Sequence, residues 1–315
     1  MKISFLIYFL LTLIACQTVK KEEEKQKVEF VSTEIDLPQE AISFSGKPLY
    51  RKAIDEATLK KTDSIIQSLQ QKPELLEEDY IALGSHYIAT NRFRDAIAVY
   101  TKGLASYPTS FKLLRHRGHR FINVRELENA IVDLSKANDL IGDENEKILE
   151  YDAKGKPTGS YQYWIWYHIG LYHLLNEEYK KAAEAYNTCL SLAMNGKNNV
   201  GVSAWLYTVY QKMGESELAK RAIETITKDY DTDREHPYFK RVMLYKGNLK
   251  PQDILNVNKP VEQWTARDIT IAYGVADWYS HQQDTNVAEG IYEKILQTPH
   301  WNAWAYVVTD KIVAE

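Results

Sequence analysis

Two pairs of small residues recur at one interval in this chain. Gly84 and Gly118 stand 34 residues apart, and so do Ala96 and Ala130. A shared interval of this length means that one supersecondary unit is copied along the chain, which points to a stack of repeats rather than a single wrapped core. In the first copy, Glu77 to Ser110, two short helical patterns meet at Thr90-Asn91-Arg92. Tyr80, Leu83, Gly84 and Tyr87 form a stripe on the first, and Phe93, Ala96, Ile97, Tyr100 and Gly103 a stripe on the second, with Pro108 ending it. Gly84 and Ala96 are small, so the two helices can approach closely while aromatic rings fill the space around them. The 22 Tyr and seven Trp suit stacked helices with aromatic interlocks better than a sheet.

The order of an aromatic, Leu83-Gly84, Tyr87, Ala96, Tyr100 and Pro108 resembles a tetratricopeptide repeat. The resemblance implies an all-α fold, a right-handed superhelix (α-solenoid) of about six such helix pairs with one concave face. It also implies a recognition scaffold for a protein or peptide partner rather than a particular chemistry.

The same landmarks organise the rest of the chain. Gly118 to Gly170 and Ala130 to Ala182 are both 52 residues, so a single insertion separates the second and third copies. Turn residues Asp152 to Pro157 between short apolar-polar runs predict a small hairpin or an ordered loop there. From Ala219 to Ala288 is 69 residues, about two repeats, so a worn copy is expected between them, with His236 to Tyr245 and a stunted Pro251 to Val257 as its helices. The expected layout is a capping segment and helix at 41–76, repeats one and two at 77–141, the insertion at 142–162, repeats three and four at 163–233, the worn repeat at 234–268, and a last repeat with a C-terminal cap helix at 269–315. Residues 32–52 read as irregular.

Met1 to Ala15 reads as a signal peptide: Lys2, then a mostly apolar run of about a dozen residues, too short for a comfortable membrane span. Leu13-Ile14-Ala15-Cys16 resembles the lipobox of bacterial lipoproteins, which implies that Cys16 is lipidated and anchors the protein in a membrane. Cleavage would remove Lys2 and take the net charge from −4 to −5. Residues 16–40 are then the lipidated Cys and a tether of low complexity. Gln17 in place of Asp implies the outer membrane of a diderm bacterium, and Lys21-Glu22-Glu23-Glu24 is similar to surface-export signals. Cys189, the only other cysteine, lies in an apolar stretch and reads as a small buried hydrophobe. The modest net charge gives no field that would favour nucleic acid.

Assigning the first helix of each pair to the groove, as the resemblance implies, makes Arg115, His116, His119, Trp164, His168, Trp205, Tyr273 and Asp277 the expected partner-binding residues. Arg115 to Arg120 is the densest spot, with three Arg and two His in about a turn and a half. Such a run repels itself unless something anionic answers it. It suits capture of a carboxylate or phosphate by Arg forks, with Trp164 or Trp205 stacking alongside. The bland alternative is that Arg117 and Arg120 pair with acidic residues of neighbouring helices and the His are half-exposed. His116, His119 and His168 with Asp277 are a weak metal set, because flanking Arg disfavours a cation and no HExxH is present. With no GxSxG, P-loop or GxGxxG, neither an enzyme nor a cofactor is expected. A second functional class, a small-ligand or glycan-binding surface lipoprotein with the insertion as a lid, fits the same residues.

Overall fold

The structure, a computed structural model, describes residues 37–142, 148–152 and 154–315. Cys16, the signal peptide, most of the tether and residues 143–147 and 153 of the insertion lie outside the described residues. Among those described, no helix is long and apolar enough to cross a membrane.

The fold is all-α, an α-solenoid of helix pairs. After a hairpin of β1 (Gln39–Ile42) and β2 (Pro48–Tyr50) comes α1 (Glu56–Gln70), then six helix pairs. These are α2 (Glu77–Ala89) with α3 (Phe93–Ser106), α4 (Phe111–Asn123) with α5 (Leu127–Ile141), α6 (Tyr161–Leu175) with α7 (Tyr179–Ser191), α8 (Gly196–Lys212) with α9 (Ser216–Ile223), α10 (Pro237–Tyr245) with the single-turn α11 (Pro251–Ile254), and α12 (Ala266–His281) with α13 (Thr285–Leu296). A second hairpin, β3 (Leu149–Tyr151) and β4 (Pro157–Ser160), enters between α5 and α6, and α14 (Trp304–Ala314) closes the chain.

The six pairs share one turn. Two residues beyond the end of each first helix the backbone is left-handed, at Asn91, Arg125, Glu177, Gly214, Gly247 and Gln283. The next N–H returns to a carbonyl of the helix's last turn: Arg92 to Tyr87, Glu126 to Phe121, Glu178 to His173, Glu215 to Tyr210, Asn248 to Met243 and Asp284 to Tyr279, at 2.8–3.0 Å. This closure satisfies orphan carbonyls and is easiest for glycine, yet four of the six positions carry side chains. Gln283→Gly is therefore expected to raise stability by about 0.5–1 kcal/mol, since Gln283 is exposed and the left-handed strain exceeds the entropy a glycine adds. A urea midpoint unchanged or lowered would contradict this.

Close approach within pairs follows the small residues. A Cβ on Gly84 would lie 2.2 Å from the Tyr100 ring, and one on Gly170 would lie 2.6 Å from the Tyr186 ring. The largest buried cluster draws on residues from Ala41 to Val308 and takes in Cys189, which is fully buried; two smaller clusters lie in the first pair and around α8 to α10.

Two segments depart from expectation. The described part of the segment read as irregular, from residue 37 on, holds the β1–β2 hairpin, whose buried Glu40 accepts from Arg51 Nε (2.8 Å) and from the Arg94 backbone N–H at the start of α3 (2.9 Å). The C-terminal segment does more than cover the last pair. Asp310 on α14 accepts from Arg125 Nε in the turn of the second pair (3.0 Å) and from Phe44 N in the first hairpin (3.3 Å). Trp301 Nε1 donates to the Tyr50 carbonyl (2.7 Å), and the Trp301 ring meets Phe93 edge-on at 5.0 Å. Asn123 Nδ2 donates to the Asn302 carbonyl, and the Arg125 guanidinium to that of Trp301. The last segment is thus fastened to the first two repeats.

Candidate functional site

This closure decides where the expected groove residues lie. The helices that carry them face inward, and α14 sits among them: the Trp304 ring is 4.6 Å from His119 and 5.3 Å from His168. Arg115, His116, His168, Trp205, Tyr273 and Asp277 are buried, while His119 and Trp164 are half-buried. The reading of all eight as one open basic and aromatic face is corrected accordingly. Most of them form two internal clusters: Trp304 of α14 packs against His119 and His168, and α10 brings Arg241 and Tyr245 against Trp205, Tyr273 and Asp277.

The first cluster surrounds α4. Arg115 Nε is 3.1 Å from Glu150 Oε2 of the insertion hairpin, and its Nη1 donates to His116 Nδ1 at 3.1 Å. Arg120 Nη2 donates to His119 Nδ1. Arg117 takes the bland reading, forking onto both oxygens of Asp133 at 2.7 Å, whereas Arg120 meets an imidazole rather than a carboxylate. Burial, reinforced by the neighbouring guanidiniums, holds His116, His119 and His168 well below the ordinary imidazole range, so all three are neutral at pH 7. Among the described residues no group of three or more His, Cys, Asp or Glu is arranged to hold a metal ion.

The second cluster is built on Arg241, which is fully buried and which sequence reading missed. Its guanidinium lies 4.6 Å from the Trp205 ring and 4.9 Å from that of Tyr273. It donates to Tyr245 OH at 3.1 Å, which in turn donates to Asp277 Oδ2 at 3.0 Å, as does Thr208 Oγ1 at 2.9 Å. A Cβ on Gly274 would lie 2.4 Å from Arg241 Cγ, so that glycine makes room for the cation. Burial alone would raise Asp277, but His281, Arg241 and Thr208 hold it below the usual carboxylate range. Trp205, Tyr273 and Asp277 are therefore spent on one internal charge network.

Trp164 alone among the eight lines an open recess of about 680 Å³. One wall is the insertion hairpin, through Lys156 and Thr158. The floor is α6, through Tyr163, Trp164 and Tyr167. The far side is the first turn of α8 and the 231–238 connection. Trp164 Nε1 donates to Thr158 Oγ1 at 3.2 Å, and Asn198 Nδ2 to the Thr158 carbonyl at 2.9 Å, so the hairpin is tied to both helices. A Cβ on Gly196 would lie 1.8 Å from the Asp231 carbonyl oxygen, so the connection rests directly on α8. Tyr167 OH lies 3.3 Å from Tyr238 OH and accepts from Trp205 Nε1 at 2.7 Å. Burial and nearby Lys197 hold His236 below its usual range, which leaves a neutral imidazole in the lining. Asp231, Asp233, Lys197 and Tyr238 come together here from parts of the chain whose repeat pattern is faintest. The cue in the sequence was the insertion itself.

Family models match the chain in two places. Residues 80–111 and 165–194 each match a tetratricopeptide-repeat family model. They fall on the first and third helix pairs. The fold is an α-solenoid of helix pairs, two of which match the tetratricopeptide-repeat models. Among solved structures, a crystal structure of MamA protein is 17% identical over 70% of this chain and 90% of its own, with a TM-score of 0.40. A MamA structure from AMB-1 is 16% identical over 53% and 82%, with a TM-score of 0.39. YrrB, described as a TPR protein with an unusual peptide-binding site, is 18% identical over 65% and 95%, with a TM-score of 0.33. No curated protein matches the chain.

Proposed function

We propose that this protein is a lipid-anchored interaction scaffold of the cell envelope that holds a protein or peptide partner in the recess beside Trp164. Cys16 would carry the anchor, in the outer membrane of a diderm bacterium on its periplasmic face or at the cell surface, and the charged segment after it would give the repeats reach. The observation that carries the docking reading is that the recess, unlike the interior, is open, has a volume ordinary for a ligand site, and combines an aromatic floor with a polar rim. An extended segment could stack on Trp164 and Tyr238 while Asn195, Lys197 and Asp233 meet its polar groups. The hairpin wall also suits the second reading, a small polar ligand such as a glycan held under the insertion.

The test is affinity capture from envelope extract of the native organism on immobilised residues 17–315, beside a Trp164→Ala variant. One dominant protein that falls at least tenfold with Trp164→Ala supports the scaffold reading. Equal capture by both forms removes the recess from it. No captured protein, with a thermal shift by oligosaccharides, replaces it with the glycan reading. Cys16→Ser in the full chain should release the protein from membrane fractions, and retention would end the anchor assignment.

A further inference from the structure

Glycine weakens the interior of a helix, so a buried one there calls for a reason. At Gly84, Gly103, Gly118, Gly170 and Gly274 the reason is a packed neighbour: a Cβ would lie 2.2–2.9 Å from a side chain. Gly201 is buried inside α8 and has no such neighbour. The atoms nearest to its Cβ would be Tyr163 Oη and Tyr238 Cδ2, both 4.0 Å away. That is ordinary van der Waals distance, so the fold itself leaves room for alanine. Gly201, Tyr163 and Tyr238 all line the recess. The glycine therefore keeps open a slot that the protein does not fill.

The polar atoms around the slot decide what it suits. Those of the α6 floor are already committed within the protein. Tyr163 Oη donates to the Asn198 carbonyl at 2.9 Å, and Trp164 Nε1 to Thr158 Oγ1 at 3.2 Å. Tyr167 Oη accepts from Trp205 Nε1 and lies 3.3 Å from Tyr238 Oη. Asn195 and Asn198, at the start of α8, are bonded to each other and to the hairpin. Ring faces and the bare Cα of Gly201 are what the floor offers. A sugar ring laid there would leave hydroxyls without partners, which is costly, whereas an aromatic ring gains contact with the rings around it. Lys156, Lys197 and Asp231 are exposed lining residues with no ion-pair partner among the described residues. Both signs of charge at the rim suit the donors and acceptors of a peptide backbone.

On the reading that the recess is the docking site, we infer that its buried end takes one aromatic side chain of the partner segment, phenylalanine before tyrosine, laid against Tyr238 over the Cα of Gly201. Gly201 sets the specificity by leaving room for the ring, and the exposed charges meet the segment's backbone.

The test selects a random peptide library on the immobilised full chain, with the Gly201→Leu variant as counter-selection. Peptides that keep to the unaltered protein should share one aromatic residue. Its replacement by Ala should weaken them at least about tenfold, and Phe in place of Tyr there should bind as well or better. Gly201→Ala should raise the thermal midpoint of the free protein by about 2 °C, because it removes a helix glycine without a clash, and should weaken the same peptides. A midpoint lowered by Gly201→Ala would show that the fold requires the glycine and would overturn the inference. Peptides lost with Trp164→Ala but indifferent to Gly201→Leu, or sharing no aromatic residue, would overturn it while leaving the recess as the docking site. Methyl glucoside bound by the unaltered protein and not by Gly201→Leu would put a sugar in the slot instead. No peptide selected on either form would end both readings.

Discussion

Asp310→Ala is expected to cost about 3–5 kcal/mol of folding stability, although Asp310 lies five residues before Glu315 and far in sequence from the groups it binds. Its side chain and that of Arg125 are 3% and 4% exposed, and the pair is 3.0 Å apart. Removing the carboxylate leaves a buried guanidinium wedged among Phe44, Trp301 and Tyr306, at about 5.8–5.9 Å from each ring. It also frees the Phe44 N–H that Asp310 accepts. Burial already pushes Arg125 down, which is the sign of a cation that depends on its partner. Urea unfolding would measure the effect, and the Arg125→Met/Asp310→Leu double variant should recover much of the loss by removing both charges. A loss under about 1 kcal/mol would mean that α14 is held by apolar packing alone and that its ion pair does not close the solenoid.

Acid should unfold this protein earlier than its carboxylates would suggest. His116, His119 and His168 have folded pKa values well below the unfolded 6.5. Below pH 6.5 the unfolded chain therefore binds protons that the folded chain refuses, and stability falls as pH falls until the folded pKa is reached. Each imidazole that stays neutral in the folded chain contributes up to about 1.4 kcal/mol per pH unit in that window, so stability at pH 5.5 is expected to fall below that at pH 7.5. Glu150 works the other way, since burial raises its pKa and acid favours its neutral form, but it is one group against three. The groups facing the imidazoles enforce the sign: Arg115 and Arg120 from α4, Tyr100 from α3, Tyr161 from α6, and the uncharged Trp304 from α14. Urea midpoints at the two pH values test this, and His168→Gln should flatten the dependence by about a third. Midpoints equal at pH 7.5 and 5.5 would show that the cluster opens to water.

The helical repeat was legible because it is written locally. Gly84 and Gly118, Ala96 and Ala130 keep their interval since a helix pair can approach only over small residues, and that requirement is met within one copy. The widened interval from Gly118 to Gly170 marked the insertion in the same way. The charges were not legible. Arg115, Arg117 and Arg120 look alike in the sequence, yet they meet Glu150 on a hairpin, Asp133 on the next helix and a neutral imidazole. Helical periodicity gives the direction in which a side chain leaves its own helix, and says nothing of what a distant segment brings to it.

By itself, then, the sequence determined the helix pairs, their number, their small-residue contacts and the position of the insertion, all of which depend on residues within about one repeat of each other. Only the tertiary structure decided that the array closes, because closure rests on contacts such as Phe44 with Asp310 and Tyr50 with Trp301 across most of the chain. The packing of α10 on α8 and α12 likewise turned Trp205, Tyr273 and Asp277 from an expected binding face into core around Arg241. Closure left Trp164 at the one place where the insertion holds the wall of the recess open.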